Sequence, residues 1–347
     1  MTASMRALGT TLPETVRRIT SLLLVVSFAF AYQTPAFAYL KFGVDVNGRQ
    51  VTLKWNQTPV KYYVTQRGVP GVSASQLQAA VGRAFGTWEA VPSASITYQF
   101  AGFTTAQPLD DDGLSTLGFL DRPDLDRVLA STSFLVDESS GELLEADILF
   151  NSEFPWSVAS AGETGKFDLE TIALHEIGHL SGLGHSAIGE TVLIAGGGRR
   201  VIAAEAVMFP IAFPAGTTFD RTLHPDDVAG ISDLYPADGF SSATGSLTGR
   251  VTMNGRGLFG AHVVAFDPSS GALVGNFSLN DAGQFSIAGL SPGPHVVRVE
   301  PLDDADTDSF FSDAEVDLDF RVAFFDGLVV VPRGGGSPAI ELKVTAK

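Results

Sequence analysis

The segment His175-Glu176-Ile177-Gly178-His179-Leu180-Ser181-Gly182-Leu183-Gly184-His185-Ser186 gathers three of the chain's six histidines beside a carboxylate. On an α-helix, residues four apart share a face, so the imidazoles of His175 and His179 converge on one point. Glu176 lies one residue further round, beside that point rather than in it. Its carboxylate can reach a water on a metal without ligating the metal. Gly182 permits a left-handed backbone, which ends the helix and turns the chain back. His185 can then supply a third nitrogen. Three protein nitrogens with a fourth position left to water make a catalytic Zn2+ site, whereas a structural site is closed. The chemistry this spacing suits is attack by an activated water, with Glu176 as general base. An amphipathic helix whose histidines merely cap or pack has no need of this spacing.

A helix must carry the first two ligands, and the pattern predicts one over residues 167–180. A second helix is predicted over 73–90, where Leu77, Ala80, Val81, Phe85 and Trp88 follow the helical period and Ser73 or Ser75 can cap the start. A third is predicted over 225–234, with Pro225 in its first turn and Asp226 and Asp227 complementing the positive end of the dipole. Short runs of β-formers predict strands at 51–55, 60–64, 96–100, 128–136 and 145–151, the last two joined by a turn at Ser139-Ser140-Gly141. Residues 104–126, with Asp110-Asp111-Asp112-Gly113, read as an irregular loop.

After Pro236 the texture changes. Residues 238–245 are rich in Gly, Ser and Ala and read as a linker. From 246 onward there are only short alternating strands separated by turn residues, among them Asn254-Gly255 and Asp281 to Gly283. The fold class is therefore α+β over residues 39–237, a twisted mixed sheet with three helices, followed by an all-β sandwich over 246–347.

Residues 1–38 read as an address. Arg6, Arg17 and Arg18 precede an apolar run from Ile19 to Ala31, and Ala36-Phe37-Ala38 forms a small-x-small cleavage site. The run is shorter than the roughly 20 residues of a membrane-spanning helix. The expectation is a signal peptide and a secreted or extracellular protein with no membrane span once mature; the periplasm and the cell surface are the variants of that reading. The chain has no cysteine, which removes disulfides, thiolate zinc sites and thiol nucleophiles together. A net charge of −17, from 22 basic and 39 acidic side chains, repels phosphate backbones and argues against a nucleic-acid partner.

The histidine segment matches the long zincin signature of the metzincins, and further stretches agree in order. These are Ala206-Val207-Met208-Phe209-Pro210, Asp226-Asp227-Val228-Ala229-Gly230-Ile231 leading to Leu234-Tyr235, and upstream Trp55, Trp88 and Ala146-Asp147-Ile148. Over roughly residues 50 to 236 the chain resembles a matrixin-type metzincin. The resemblance implies a metzincin-like catalytic domain and a secreted zinc endopeptidase acting on proteins or peptides. It places Met208 in a Met-turn beneath the histidines. It also suggests structural Ca2+, with Asp147 as one ligand and Asp110 to Asp112 as further oxygen donors. The chain departs from the family in three ways. No histidine lies between Ala146 and Phe167, where matrixins hold a second zinc. No propeptide cysteine exists. An insertion containing Gly196-Gly197-Gly198-Arg199-Arg200 separates His185 from Met208.

The C-terminal segment resembles a carboxypeptidase regulatory-like, transthyretin-type sandwich, through Gly249-Arg250-Val251, Gly260-Ala261-His262-Val263 and Asp281-Ala282-Gly283-Gln284-Phe285 running to Pro292-Gly293. That resemblance implies an accessory role, with His262 and His295 as satisfied strand residues. Two rival functions stand beside the peptidase. One is a catalytically silent zinc-bearing adhesion or cell-surface binding protein, against which the intact Glu176 argues. The other is a zinc peptidase of another clan that takes a distant Glu as third ligand, which requires His185 to be dispensable.

Overall fold

The structure, a computed structural model, describes residues 2–7, 40–46, 49–195, 197–311 and 315–347. The leader predicted over 1–38 lies outside the described residues except for residues 2–7. These form β1 (Thr2–Ala7). A short hairpin of β2 (Gly43–Val46) and β3 (Arg49–Thr52) follows. Then come β4 (Val60–Thr65), α1 (Ala74–Glu89), β5 (Tyr98–Thr104), β6 (Thr116–Leu120), β7 (Ala130–Asp137) and β8 (Glu142–Asn151). Six of these strands make one sheet in the order β1-β7-β8-β6-β4-β5. Only the β7–β8 pairing is antiparallel.

Of the two caps the sequence offered for α1, the structure uses Ser73. Ser73 accepts the Gln76 N–H while Gln76 reaches back to the Ser73 N–H, so two orphan donors of the first turn are satisfied reciprocally. Its predicted stripe is buried, and Phe85 stacks on Tyr62 of β4 with ring centroids 4.0 Å apart. The strand β6 corrects the loop predicted over 104–126. Thr116, Leu117, Gly118 and Phe119 are all buried, because β6 lies between β4 and β8 with both faces covered. A strand buried on both faces shows no alternation, and five residues among Asp and Gly carry too little apolar length to stand out.

Next come the parallel pair β9 (Trp156–Ser157) and β10 (Phe167–Asp168), and then α2 (Leu169–Leu180). The insertion after His185 folds as a hairpin, β11 (Gly189–Leu193) with β12 (Arg199–Ala204). Helix α3 (Pro225–Leu234) closes this part of the chain. One apolar core joins the sheet to the helices, including Leu53, Leu77, Trp88, Phe134, Ile148 and Ile177. The segment predicted as a linker contains a single helical turn, α4 (Phe240–Ala243).

From residue 245 the elements are β13 (Gly245–Met253), β14 (Arg256–Gly257), β15 (His262–Phe266), β16 (Leu273–Phe277), β17 (Gln284–Leu290), β18 (Gly293–Glu300), β19 (Ala323–Phe324), β20 (Val329–Val331) and β21 (Ile340–Val344). One sheet runs β14-β13-β17 with β21 beside β13, and the other runs β16-β15-β18-β19 with β20 beside β18. They share a second apolar core that includes Leu247, Val263, Phe285, Val297 and Phe320. Ala229 of α3 belongs to this core while Ile231 and Leu234 belong to the first, so α3 is packed on both sides. No helix among the described residues is long and apolar enough to cross a membrane.

The junction between α3 and the C-terminal sheets carries a titratable group. Asp226 is buried, and its Oδ1 accepts the Gly275 N–H of β16 at 2.8 Å. Burial pushes its carboxyl up from 3.8 to about 7, while hydrogen bonds from Ser186 and Gly275 pull it down. A raised folded-state value means that the native protein holds this proton more tightly than the unfolded chain. The resulting stability is fully present below about pH 4 and is lost as pH rises to about 7, a span of about 4 kcal/mol in order of magnitude. Asp226→Asn keeps the acceptor and removes the ionisation. Urea unfolding at pH 5 and pH 8 should therefore show a smaller stability loss in the variant than in wild type. Parallel pH slopes would contradict this account.

Candidate metal centre

Helix α2 begins at Asp168, whose Oδ2 accepts the Thr171 N–H and hydroxyl at 3.0 and 2.7 Å. Arg221 grips the same carboxylate with two hydrogen bonds, at 2.6 and 2.9 Å. At the other end, carbonyls left over by the helix are met one by one. Trp55 Nε1–H donates to Leu180 O, the Tyr235 hydroxyl to Ser181 O, and the Ser181 hydroxyl to Ile177 O. Gly182 takes φ +101°, and its N–H donates to His179 O while the Leu183 N–H donates to Gly178 O. The left-handed turn predicted there is thus present, and a Cβ on Gly182 would lie 2.5 Å from Leu53 O. The turn carries His185 back over the helix.

The three imidazoles meet. His175 Nε2 and His179 Nε2 are 3.1 Å apart, as are His179 Nε2 and His185 Nε2, and one nitrogen from each ring falls within 4.8 Å of the others. Zn–N bonds of about 2.0–2.1 Å in tetrahedral geometry put ligand nitrogens about 3.3 Å apart, so the trio fits zinc. Each ring turns its other nitrogen to a backbone carbonyl: His175 Nδ1 to Val207 O at 2.7 Å, His179 Nδ1 to Leu183 O at 2.8 Å, and His185 Nδ1 to Ser309 O at 2.5 Å. A carbonyl only accepts, so each Nδ1 carries the proton and each Nε2 presents a lone pair. Burial lowers the pKa of all three rings, that of His185 to about 4, and keeps them in the neutral form that binds a metal.

Glu176 is fully buried beside them. Its Oε2 accepts the Thr132 hydroxyl of β7 at 2.7 Å, and its Oε1 has no partner. Burial pushes the carboxyl up to about 7, and the Thr132 hydrogen bond pulls it back. A carboxyl poised near neutrality with one free oxygen can take a proton and give it up again.

Met208 lies beneath this layer. A Cβ on Gly178 would overlap Met208 Sδ and approach Trp88 Cζ2 to 2.9 Å, so the absence of a side chain there lets Met208 and Trp88 close on the helix between the two ligands. Gly178→Ala adds one methyl to a filled space and should cost about 1–3 kcal/mol, with a matching fall in melting temperature. An unchanged melting temperature would mean that the contact is slack. The loop holding Met208 is clamped by Asp227, whose Oδ2 accepts the Val207 and His224 N–H groups at 2.9 Å each and whose Oδ1 accepts the Met208 N–H at 3.1 Å.

Asp147, Asp110 and Asp112, three of the residues suggested as calcium ligands, accept amides of the chain itself. Asp147 accepts the Thr116 N–H at 2.9 Å and the Leu109 N–H at 2.6 Å, and Glu145 accepts the Gly113 N–H at 2.6 Å. Asp110 and Asp112 bond the Gln107 and Leu114 N–H groups. Asp147 and Glu145 thereby staple the 104–116 loop to β8, and the geometry gives calcium no support. Among the described residues the histidine trio is the one group of three that brings metal-ligating atoms together. His262 bonds Glu300 at 3.0 Å and His295 bonds Gly293 O at 3.2 Å, both as strand residues. Thr132, Asp227 and the Ser309 carbonyl are the supporting groups that sequence reasoning missed. Asp227 alone left a trace, as an acidic residue at a helix start and within a stretch that resembles the family, and neither trace spoke of a clamp on the Met208 loop.

Residues 54–196 match the family profile described as matrixin. Among curated proteins, the chain is 30% identical over 174 residues to Metalloendoproteinase 2-MMP of Arabidopsis thaliana, covering 47% of this chain and 38% of that protein. It is 29% identical over 198 residues to Metalloendoproteinase 1-MMP of the same plant, covering 52% and 44%. It is 38% identical over 78 residues to Metalloendoproteinase 1 of Glycine max, covering 22% and 20%. The chain thus spans less than half the length of these relatives.

Proposed function

We propose that the protein is a zinc-dependent endopeptidase in which His175, His179 and His185 hold the metal and Glu176 is the general base. The observation that carries the reading is the convergence of three neutral imidazoles, each with its Nδ1 spent on a carbonyl. The matrixin match and the metalloendoproteinase relatives support it.

Zinc, when bound, supplies Lewis acidity that polarises the scissile carbonyl and makes water a stronger acid. Glu176 Oε1, free of any other partner, takes the proton of the attacking water and later hands it to the departing amine. Thr132 holds the other oxygen and so keeps the carboxylate aimed. Substrate backbone pairs with the outer edge of β7, the strand that carries Thr132. That edge takes an added strand in this structure, where β1 runs parallel along Ser131 to Val136. The reading extends to a leader over 1–38 removed on export, a secreted location, and the C-terminal sheets as a β-sandwich accessory domain.

Purified full-length protein should carry about one zinc per chain. It should cut a denatured protein at internal bonds, stop on chelation and recover when Zn2+ is restored. His185→Ala should lose both zinc and cleavage. Full zinc content in His185→Ala, or cleavage indifferent to the chelator, would refute the assignment.

A further inference from the structure

The three ligands are not held by equally local means. His175 leans on Val207 of the Met208 loop, and His179 on Leu183 of its own turn. His185 leans on Ser309, 124 residues further along the chain, in the connection between β18 and β19 of the C-terminal sheets.

That connection is docked at several points around the site. Thr191 of β11 donates its N–H to Asp304 Oδ1 at 2.7 Å and its hydroxyl to Asp304 O at 2.6 Å. Phe310 meets the His185 ring edge-on with centroids 5.9 Å apart and packs on Phe277 at 5.4 Å. Ala187, two residues after His185, shares a small apolar cluster with Phe277, Leu302 and Phe311. A partly buried hydrogen bond, a two-point polar clamp and an aromatic cluster therefore all fix residues 302–311 against the stretch that bears the third ligand.

We propose that the C-terminal sheets are part of the metal centre, and that the 302–311 connection positions His185 through the Ser309 carbonyl. A neutral imidazole free of that carbonyl exchanges its proton between the two nitrogens and turns about its side-chain bonds. Both motions withdraw the Nε2 lone pair from the place where the other two nitrogens converge. Ser309 is then a positioning residue by its backbone, and Asp304 and Phe310 are the side chains that keep the backbone in place. The inference rests on the proposed zinc site, but not on proteolysis.

The test uses the full chain and needs no substrate. Zinc affinity is measured by chelator competition in wild type, Asp304→Ala/Phe310→Ala, and Asp304→Asn, which retains an acceptor for the Thr191 N–H. The double variant should bind zinc about 10- to 100-fold more weakly. Its Co2+-substituted form should show altered d–d bands, while Asp304→Asn stays close to wild type. Unchanged affinity and an unchanged cobalt spectrum in a folded double variant would overturn the proposal. Should the double variant not fold, Thr191→Val, which removes only the hydroxyl half of the clamp, takes its place. Weaker zinc binding there supports the proposal, and wild-type binding overturns it. A protein that binds zinc tightly yet cuts nothing would sink the peptidase reading and leave this result standing.

Discussion

Glu176→Gln should lower the rate of peptide-bond cleavage by about 10²- to 10⁴-fold while leaving zinc content and fold unchanged. The substitution preserves the volume of a side chain that is fully buried, and it retains one carbonyl oxygen for the Thr132 hydroxyl. What it removes is basicity at the one oxygen that has no partner. KM should move little, because a general base contributes to the transition state rather than to substrate binding. Turnover of a denatured protein and zinc content, measured on the same preparation, check the claim. A glutamine variant within a few-fold of wild-type turnover would leave Glu176 a structural residue and require another base.

Asp227→Ala should be the most damaging substitution outside the histidine segment. One buried carboxylate serves three backbone N–H groups, those of Val207, Met208 and His224. Truncation leaves all three without an acceptor in the interior, where a stranded donor costs about 1–3 kcal/mol. Burial also pushes the Asp227 carboxyl up, so part of that loss is returned when the charge goes. The balance is a destabilisation of roughly 3–5 kcal/mol, read from urea unfolding. Zinc affinity should fall with it, because Val207 O is the partner of His175 Nδ1. A stability change under about 0.5 kcal/mol would mean that the Met208 loop holds its shape without the clamp.

Much of this centre was legible because its signals are local. His175 and His179 are one helical turn apart, Gly182 marks the turn, and His185 follows within three residues. The cap at Ser73, one of two serines the sequence offered, and the proline at the head of α3 are likewise messages between near neighbours. Whatever depends on distant residues left no such trace. Thr132 sits in a strand 44 residues before Glu176, and nothing in Ser-Thr-Ser announces a hydroxyl aimed at a carboxylate. Ser309 contributes only a carbonyl, which every residue type possesses, so no reading of side chains could have singled it out. The strand β6 was hidden for another reason: it is buried on both faces, and burial on both faces erases the alternation by which strands are recognised. Asp147 could be read as a calcium ligand because an aspartate offers oxygens equally to a cation or to a backbone amide, and only the folded loop shows the two amides that it accepts.

Those two amide bonds tie distant stretches of chain together. Because Asp147 and Glu145 hold amides 31 to 38 positions earlier in the chain, this corner keeps its shape only while the strand and the loop before it stay in register.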